Sequence, residues 1–302
     1  MRAEGILPYA IWQIWDEPHD EWIAKCAQLA KLVRAAAPDA KVYLTTGIKD
    51  ELIDLVDIWC LPWPSEYFGD KAERARARGA ELWAYENALY SLDRADSSLR
   101  MRDYAWRLRK YDIRGVEWWA VSQWKSDPWT VPNQYAPQNG GGFFLYPTPD
   151  RKGAPINSIR WELYREGVED YDILTMLKQE QDRVLGELKC ADARLSGEAQ
   201  MQELVGRVAE DTANIKRDAA AADLARQEAC RRIEFLQVAP KAVVGRVATA
   251  KGQAVVVQAA PGATVTVNGK VHKGGKAEVA VPAGKAVSVT VKAGHQEKRM
   301  VL

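Results

Sequence analysis

Five short runs limit what the first half of this chain can become: 9–15 (YAIWQIW), 41–46 (KVYLTT), 56–61 (VDIWCL), 81–85 (ELWAY) and 116–121 (VEWWAV). Each is rich in aromatic or β-branched residues, so each is expected to be a strand covered on both faces. Between them lie amphipathic stretches such as 21–37, where Trp22, Cys26, Leu29 and Val33 recur at helical spacing and Pro38 follows the end. Strands that alternate with helices through short connections form parallel sheets with right-handed crossovers. The fold class is therefore α/β. Residues 1–178 are read as part of a (β/α)8 barrel of the TIM type.

After the fifth run comes an aromatic, Gly-rich loop over 124–142. A helix follows from about 157, with Ile159, Leu163, Val168, Tyr171, Leu174 and Leu177 on or near one face. Residues 179–238 are polar and Ala-rich, with Gly197 near their start, and read as a helical hairpin or solvated spacer. From 240 onward Val, Ala, Thr and Gly dominate. Alternation is clear in 263–267 (ATVTV) and 286–291 (AVSVTV), and Asn268-Gly269, Gly274-Gly275 and Ala283-Gly284 mark turns. A small antiparallel β-sandwich over 239–302 is expected, without a carboxylate pair or histidine cluster.

Composition narrows the partners. The balance of 42 basic to 41 acidic groups argues against nucleic acid or an anionic membrane, both of which reward clustered positive charge. No apolar run approaches the ~20 residues of a membrane span, and no signal-peptide pattern opens the chain. The four cysteines form no close-spaced pair and the three histidines are scattered, so neither a metal nor a cofactor is expected. Cys26 and Cys60 read as buried thiols. Cys190 and Cys230 could meet across a helical hairpin, which the sequence leaves open. Twelve Trp and eleven Tyr against four Phe is a ratio that suits sugar rings in a wet cleft, although some of these side chains must fill a core.

In a parallel β/α barrel the reacting groups gather at the C-terminal strand ends. Asp16 and Glu17 follow the first run, and Thr45 and Thr46 follow the second. Pro62 and Trp63 come after the third, Glu86 and Asn87 after the fourth, and Ser122, Gln123, Trp124 and Lys125 after the fifth. Glycosidic cleavage needs an acid for the leaving oxygen, a second negative group near the anomeric carbon and flat surfaces for the ring. Asp16 and Glu17 are thus the candidate catalytic pair. Trp63, Glu86, Asn87, Gln123 and Trp124 are candidate sugar contacts. Neighbouring carboxylates repel, which favours a protonated acid beside an ionised partner. The plainer alternative has Asp16 capping the following helix and Glu17 in its first turn.

The stretches WQIWDEP, VDIWCLPWP and GVEWWAVSQWKSDPW, then GGGFFLYP followed by INSIRWELYREGVEDYDIL, resemble the catalytic domain of glycoside hydrolase family 123 from about residue 9 to 178. The resemblance implies hydrolysis of terminal β-linked N-acetylgalactosamine, with a glycan or glycoconjugate as substrate. It implies Glu17 as general acid/base. Asp16 would orient the substrate's 2-acetamido group, whose oxygen attacks the anomeric carbon to give an oxazolinium. It implies further that the five strands are the fourth to eighth of a barrel whose first three lie outside this chain, and that the protein is exported. The tail from PGATVTVNGK onward resembles a PEGA-type β-module of exported proteins. Arg160, Glu162, Arg165, Glu166, Glu169 and Asp170 can pair at i,i+3 and i,i+4 and are read as structural. Two rivals stay open. One is a retaining β-glycosidase with Glu17 as acid/base and Glu86 as nucleophile. The other is a non-catalytic carbohydrate-binding or scaffold protein.

Overall fold

The computed structural model describes residues 4–85, 97–135, 139–211 and 219–302. The chain divides into two compact units, Met1–Arg165 and Glu166–Leu302. In the first, strands and helices alternate: β1 (Ile11–Asp16), α1 (Ile23–Ala36), β2 (Lys41–Thr45), β3 (Ile58–Leu61), α2 (Asp70–Ala77), β4 (Glu81–Tyr85), α3 (Ser97–Lys110) and β5 (Gly115–Glu117). The strands form one parallel sheet in chain order.

Period-two alternation sorts the side chains of this sheet. Val42, Leu44, Trp59, Leu61, Leu82 and Ala84 share one face and are fully buried. On the other face Tyr43, Ile58 and Cys60 form a small buried cluster, with Trp83 and Tyr85 half-buried against it. Helix α1 packs on β1 and α2 on β4.

Two contacts show that the sheet curls around that second face. Lys41 on β2 pairs with Glu81 on β4, passing over β3. The Tyr85 hydroxyl, at the end of β4, donates to the Glu17 carboxylate just beyond β1. Three strand spacings amount to roughly 14 Å along a flat sheet, too far for upright side chains to share a hydrogen bond. Curled parallel strands are what a barrel wall requires. Among the described residues, however, the five strands do not close into a ring.

Strand β5 is shorter than the sequence predicts, ending at Glu117 rather than at 121. Trp118 leaves the sheet to pack edge-on against Phe144 and Tyr164 and tilted against Tyr104. Further along lie a two-stranded ribbon, β6 (Leu145–Tyr146) with β7 (Ile156–Asn157), and helix α4 (Ile159–Glu187). Arg160 is buried and donates to the carbonyls of Gly140 and Phe143 at 3.2 and 2.8 Å, its guanidinium lying over Phe143 and Phe144. Of the expected i,i+3 and i,i+4 pairs, Glu162 and Arg165 form one at 3.0 Å, while these bonds tie Arg160 to the preceding loop.

The second unit contains α5 (Gly197–Val208), α6 (Ala219–Gln237) and seven strands: β8 (Ala242–Thr249), β9 (Gly252–Ala259), β10 (Thr264–Val267), β11 (Lys270–Lys273), β12 (Lys276–Val281), β13 (Ser288–Ala293) and β14 (Gln296–Val301). The strands build two antiparallel sheets, β11-β10-β13-β14 and β12-β9-β8, around a Val- and Ala-rich core. Asn268 and Gly269 join β10 to β11 with φ of 47° and 81°, the left-handed pair that a two-residue hairpin turn needs. The helices are not a solvated spacer. Met201, Leu204, Val205, Val208, Ala222, Ala225, Ala229 and Ile233 are buried, and α5 and α6 pack on each other and on β8. In α6 the buried positions are largely alanines set in an Ala-rich background, so the apolar stripe does not stand out there. All four cysteines are free thiols. Among the described residues no helix is long and apolar enough to cross a membrane.

Candidate active site

The position of Asp16 depends on an irregularity in β1. Gln13 pairs with Tyr43, but the register then slips, so that Trp15 meets Leu44 and Asp16 meets Thr45. In a regular strand residues 13 and 16 would face opposite sides. The bulge puts both on the face of Tyr43 and Thr45. There Gln13 Nε2 donates to Thr45 Oγ1 at 3.2 Å and to Asp16 Oδ1 at 3.5 Å, and the Thr45 hydroxyl donates to Tyr43 Oη at 3.4 Å. A neutral amide thus fixes the carboxylate at the strand end.

Glu17 reaches the same mouth by a different device. Its backbone N–H donates to the Thr45 carbonyl at 3.0 Å, and its φ of 45° then turns the chain out of the sheet. A non-glycine residue held there costs on the order of 1 kcal/mol. Its carboxylate accepts from the Tyr85 hydroxyl. The helix-capping alternative fails, because the next helical turn begins after His19 and has no side-chain cap. Both acids are solvent-exposed, and among the described residues no Lys or Arg forms an ion pair with either.

Beneath them lies Trp83. Its indole covers Gly115 of the adjacent strand so closely that a Cβ there would sit 2.3 Å from the ring. The indole N–H donates to Glu81 at 3.2 Å, and the Tyr43 ring lies 5.7 Å away at a tilt. Burial alone would raise the Glu81 carboxyl, but the bonds from Lys41 and Trp83 hold it below the usual range. Cys60, paired in register with Thr45 and Trp83, has its thiol pushed up to about 12 by burial and then by the charge of Asp16. It is an inert thiol. Burial, followed by the bond to Glu17, also raises the Tyr85 hydroxyl, which therefore stays a donor.

The last residue of β5 brings a third carboxyl to this mouth. Glu117 lies in register with Tyr85 and is half-buried. Its Oε2 is buried with no hydrogen-bond partner among the described residues. Burial raises this carboxyl above its ordinary range, and the charge of Asp16 adds to the effect. Glu117 and Tyr85 are the residues that sequence reasoning missed. It took the position after each strand, whereas the last inward residue of each strand would have found both. No group of three or more His, Cys, Asp or Glu placed to hold a metal occurs among the described residues.

The glycoside hydrolase 123 catalytic domain matches residues 1–177. The chain belongs to glycoside hydrolase family 123. Among solved structures it is similar in fold to a family 123 glycoside hydrolase from Clostridium perfringens, studied for glycolipid glycan hydrolysis. The TM-score is 0.50 at 15% identity, over 78% of this chain and 42% of that one. The chain thus spans less than half of that enzyme's length. No curated protein matches it.

The other candidate sugar contacts, expected from their places after the strand runs, are placed unequally. Glu86 and Asn87 lie outside the described residues. Trp63 is 66% exposed in the loop after β3. Gln123 is exposed, and its backbone N–H donates to the Gly142 carbonyl at 3.0 Å. The Trp124 indole donates to the Leu145 carbonyl at 3.0 Å and so braces the β6 ribbon. Among the described contacts none of these three touches Asp16 or Glu17.

Proposed function

We propose that this family 123 domain hydrolyses the glycosidic bond of a terminal β-linked N-acetylhexosamine, N-acetylgalactosamine foremost, using the substrate's own 2-acetamido oxygen as nucleophile. The observation that carries this reading is the convergence of Asp16 and Glu17. A bulge aims the first, a left-handed turn aims the second, and among the described residues no Lys or Arg pairs with either. Two acids spared an ion pair are free to exchange protons with a substrate. Glu17, oriented by Tyr85, protonates the glycosidic oxygen as the bond to the anomeric carbon breaks. Asp16, held by Gln13, accepts from the acetamido N–H and favours attack of its carbonyl oxygen on that carbon. The resulting oxazolinium is opened by water, which gives its proton back to Glu17. No protein nucleophile is required.

The test compares an aryl N-acetyl-β-galactosaminide with the matching aryl β-galactoside, using the full chain and its Glu17→Gln and Asp16→Asn variants. The N-acetylated substrate should be strongly preferred, and Glu17→Gln should lose roughly 10²- to 10⁴-fold in kcat. Equal rates on the two sugars would overturn substrate assistance. Equal rates in wild type and Glu17→Gln would overturn the role of Glu17.

A further inference from the structure

Glu117 is not accounted for by the acetamido mechanism, and its surroundings are unusual. It ends β5 in register with Tyr85, whose hydroxyl reaches Glu17, so its side chain belongs to the same face and the same end of the sheet. Two residues earlier on the same strand, Gly115 leaves room for Trp83, which closes the floor below. One carboxyl oxygen is shut off from water without a donor, and among the described residues no cation pairs with the group. Asp16 is near enough for its charge to be felt there. A half-buried acid with an orphaned oxygen beside another acid is costly to keep. Nothing in the fold repays that cost, since removing the carboxylate would break no contact among those described. Such uncompensated polar groups concentrate where a ligand completes them.

We propose that Glu117 is the sugar anchor of this site, its carboxyl hydrogen-bonding a ring hydroxyl of the glycan residue whose anomeric carbon lies at Asp16 and Glu17. The inference rests on the glycosidase reading and adds a residue that positions the ring and selects among epimers. Glu117 does not exchange a proton in the bond-breaking step. Its loss should therefore raise KM and lower kcat/KM more than it lowers kcat. A hydrogen bond involving a carboxyl is worth roughly 10- to 100-fold in binding.

The experiment is a cycle between protein and substrate. Wild type, Glu117→Gln and Glu117→Leu are assayed on an aryl N-acetyl-β-galactosaminide and on its 3-, 4- and 6-deoxy forms, with thermal melting of each protein alongside. For at least one deoxy substrate, removing the hydroxyl should cost wild type roughly 10-fold or more but cost Glu117→Leu almost nothing. Melting temperature should be unchanged or higher in both variants. Additive losses for every deoxy form, undiminished kcat/KM in both variants, or a marked drop in melting temperature of both would overturn the anchor. Titration of free N-acetylgalactosamine separates the two readings. If wild type binds the sugar in a Glu117-dependent way but cleaves nothing, the anchor stands and the glycosidase reading falls. Wild type that cleaves while Glu117 proves irrelevant has the opposite meaning, and a chain that neither binds nor cleaves overturns both.

Discussion

Glu117, at the mouth of the curled sheet, and Glu228, on helix α6, are both carboxylates withdrawn from water, and the chain treats them in opposite ways. Glu228 is bonded by Arg207 and Arg232, and both arginines also bond Glu203. Burial alone would raise its carboxyl, but the two guanidiniums bring it down to about 2. Glu117 has no such partner among the described residues, and burial, with the charge of Asp16 added, raises it. Between α5 and α6, Glu203 and Glu228 are each shared between Arg207 and Arg232, and the network closes. Where carboxylates face the mouth, the neighbours are a glutamine amide, a tyrosine hydroxyl and another acid. That asymmetry marks the site without reference to any relative.

The sharpest test of the contrast is Glu228→Ala. It would remove the carboxylate that Arg207 and the fully buried Arg232 share, leaving Glu203 as their common anion and Gln200 as a neutral partner of Arg232. Breaking a buried ion pair by removing one partner costs about 3–5 kcal/mol, which a urea melt would register. Glu117→Gln in the same assay should cost nothing. A larger loss for Glu117→Gln than for Glu228→Ala would end the comparison.

The next effect in size is the acid response, which should have opposite signs at the two residues. An ordinary Glu titrates near 4.5, whereas folded Glu228 titrates at about 2. Its contribution to stability is therefore present above 4.5 and lost as pH falls through about 2. The span corresponds to about 3 kcal/mol. For Glu117 the folded value is raised, so its contribution is present below 4.5 and lost as pH rises through that raised value. Melting temperatures between pH 2 and 8 should show Glu228→Gln losing stability above 4.5 and flattening the acid limb. Glu117→Gln should gain stability toward neutral pH. If both variants moved the curve in the same direction, the two carboxyls would not differ in the way described.

The strands and the Asp16-Glu17 pair at the end of β1 were legible in the sequence for a physical reason. Runs such as KVYLTT and VDIWCL are apolar on both faces, and only a covered strand hides both. The Asp16-Glu17 pair stood out because it follows such a run. What stayed hidden depended on register. The slip between Gln13 and Trp15 leaves no trace in composition, yet it decides which side Asp16 faces. The end of β5 was hidden because VEWWAV stays apolar past Glu117, while Trp118 departs for the Phe144 and Tyr164 rings. Trp124 is a candidate sugar platform, and its indole N–H also bonds the Leu145 carbonyl, a bracing role that the sequence does not show. Indole composition does not tell a platform from a brace. In the second unit the buried stripe of α6 is built largely of alanines, which hide it in an Ala-rich stretch, so 179–238 reads as a hairpin or a spacer.

The smallest expected effect bears on the mouth alone. Gly115→Ala would place a methyl group 2.3 Å from the Trp83 ring, which Tyr43 flanks on the inner face and Glu81 holds through the indole nitrogen. A flexible side chain could swing aside, but this indole is tied at its far edge, so the strand or the ring must shift. Overpacking of this kind costs typically 1–3 kcal/mol. The displaced residues would be Trp83 and, two positions along β5, Glu117, while Asp16 and Glu17 hang from β1 and its own bulge. Gly115→Ala should therefore raise KM for an aryl N-acetyl-β-galactosaminide while leaving kcat nearly intact. A fall in kcat with unchanged KM would place the floor under the reacting pair instead, and would move Trp83 from the binding wall to the catalytic centre.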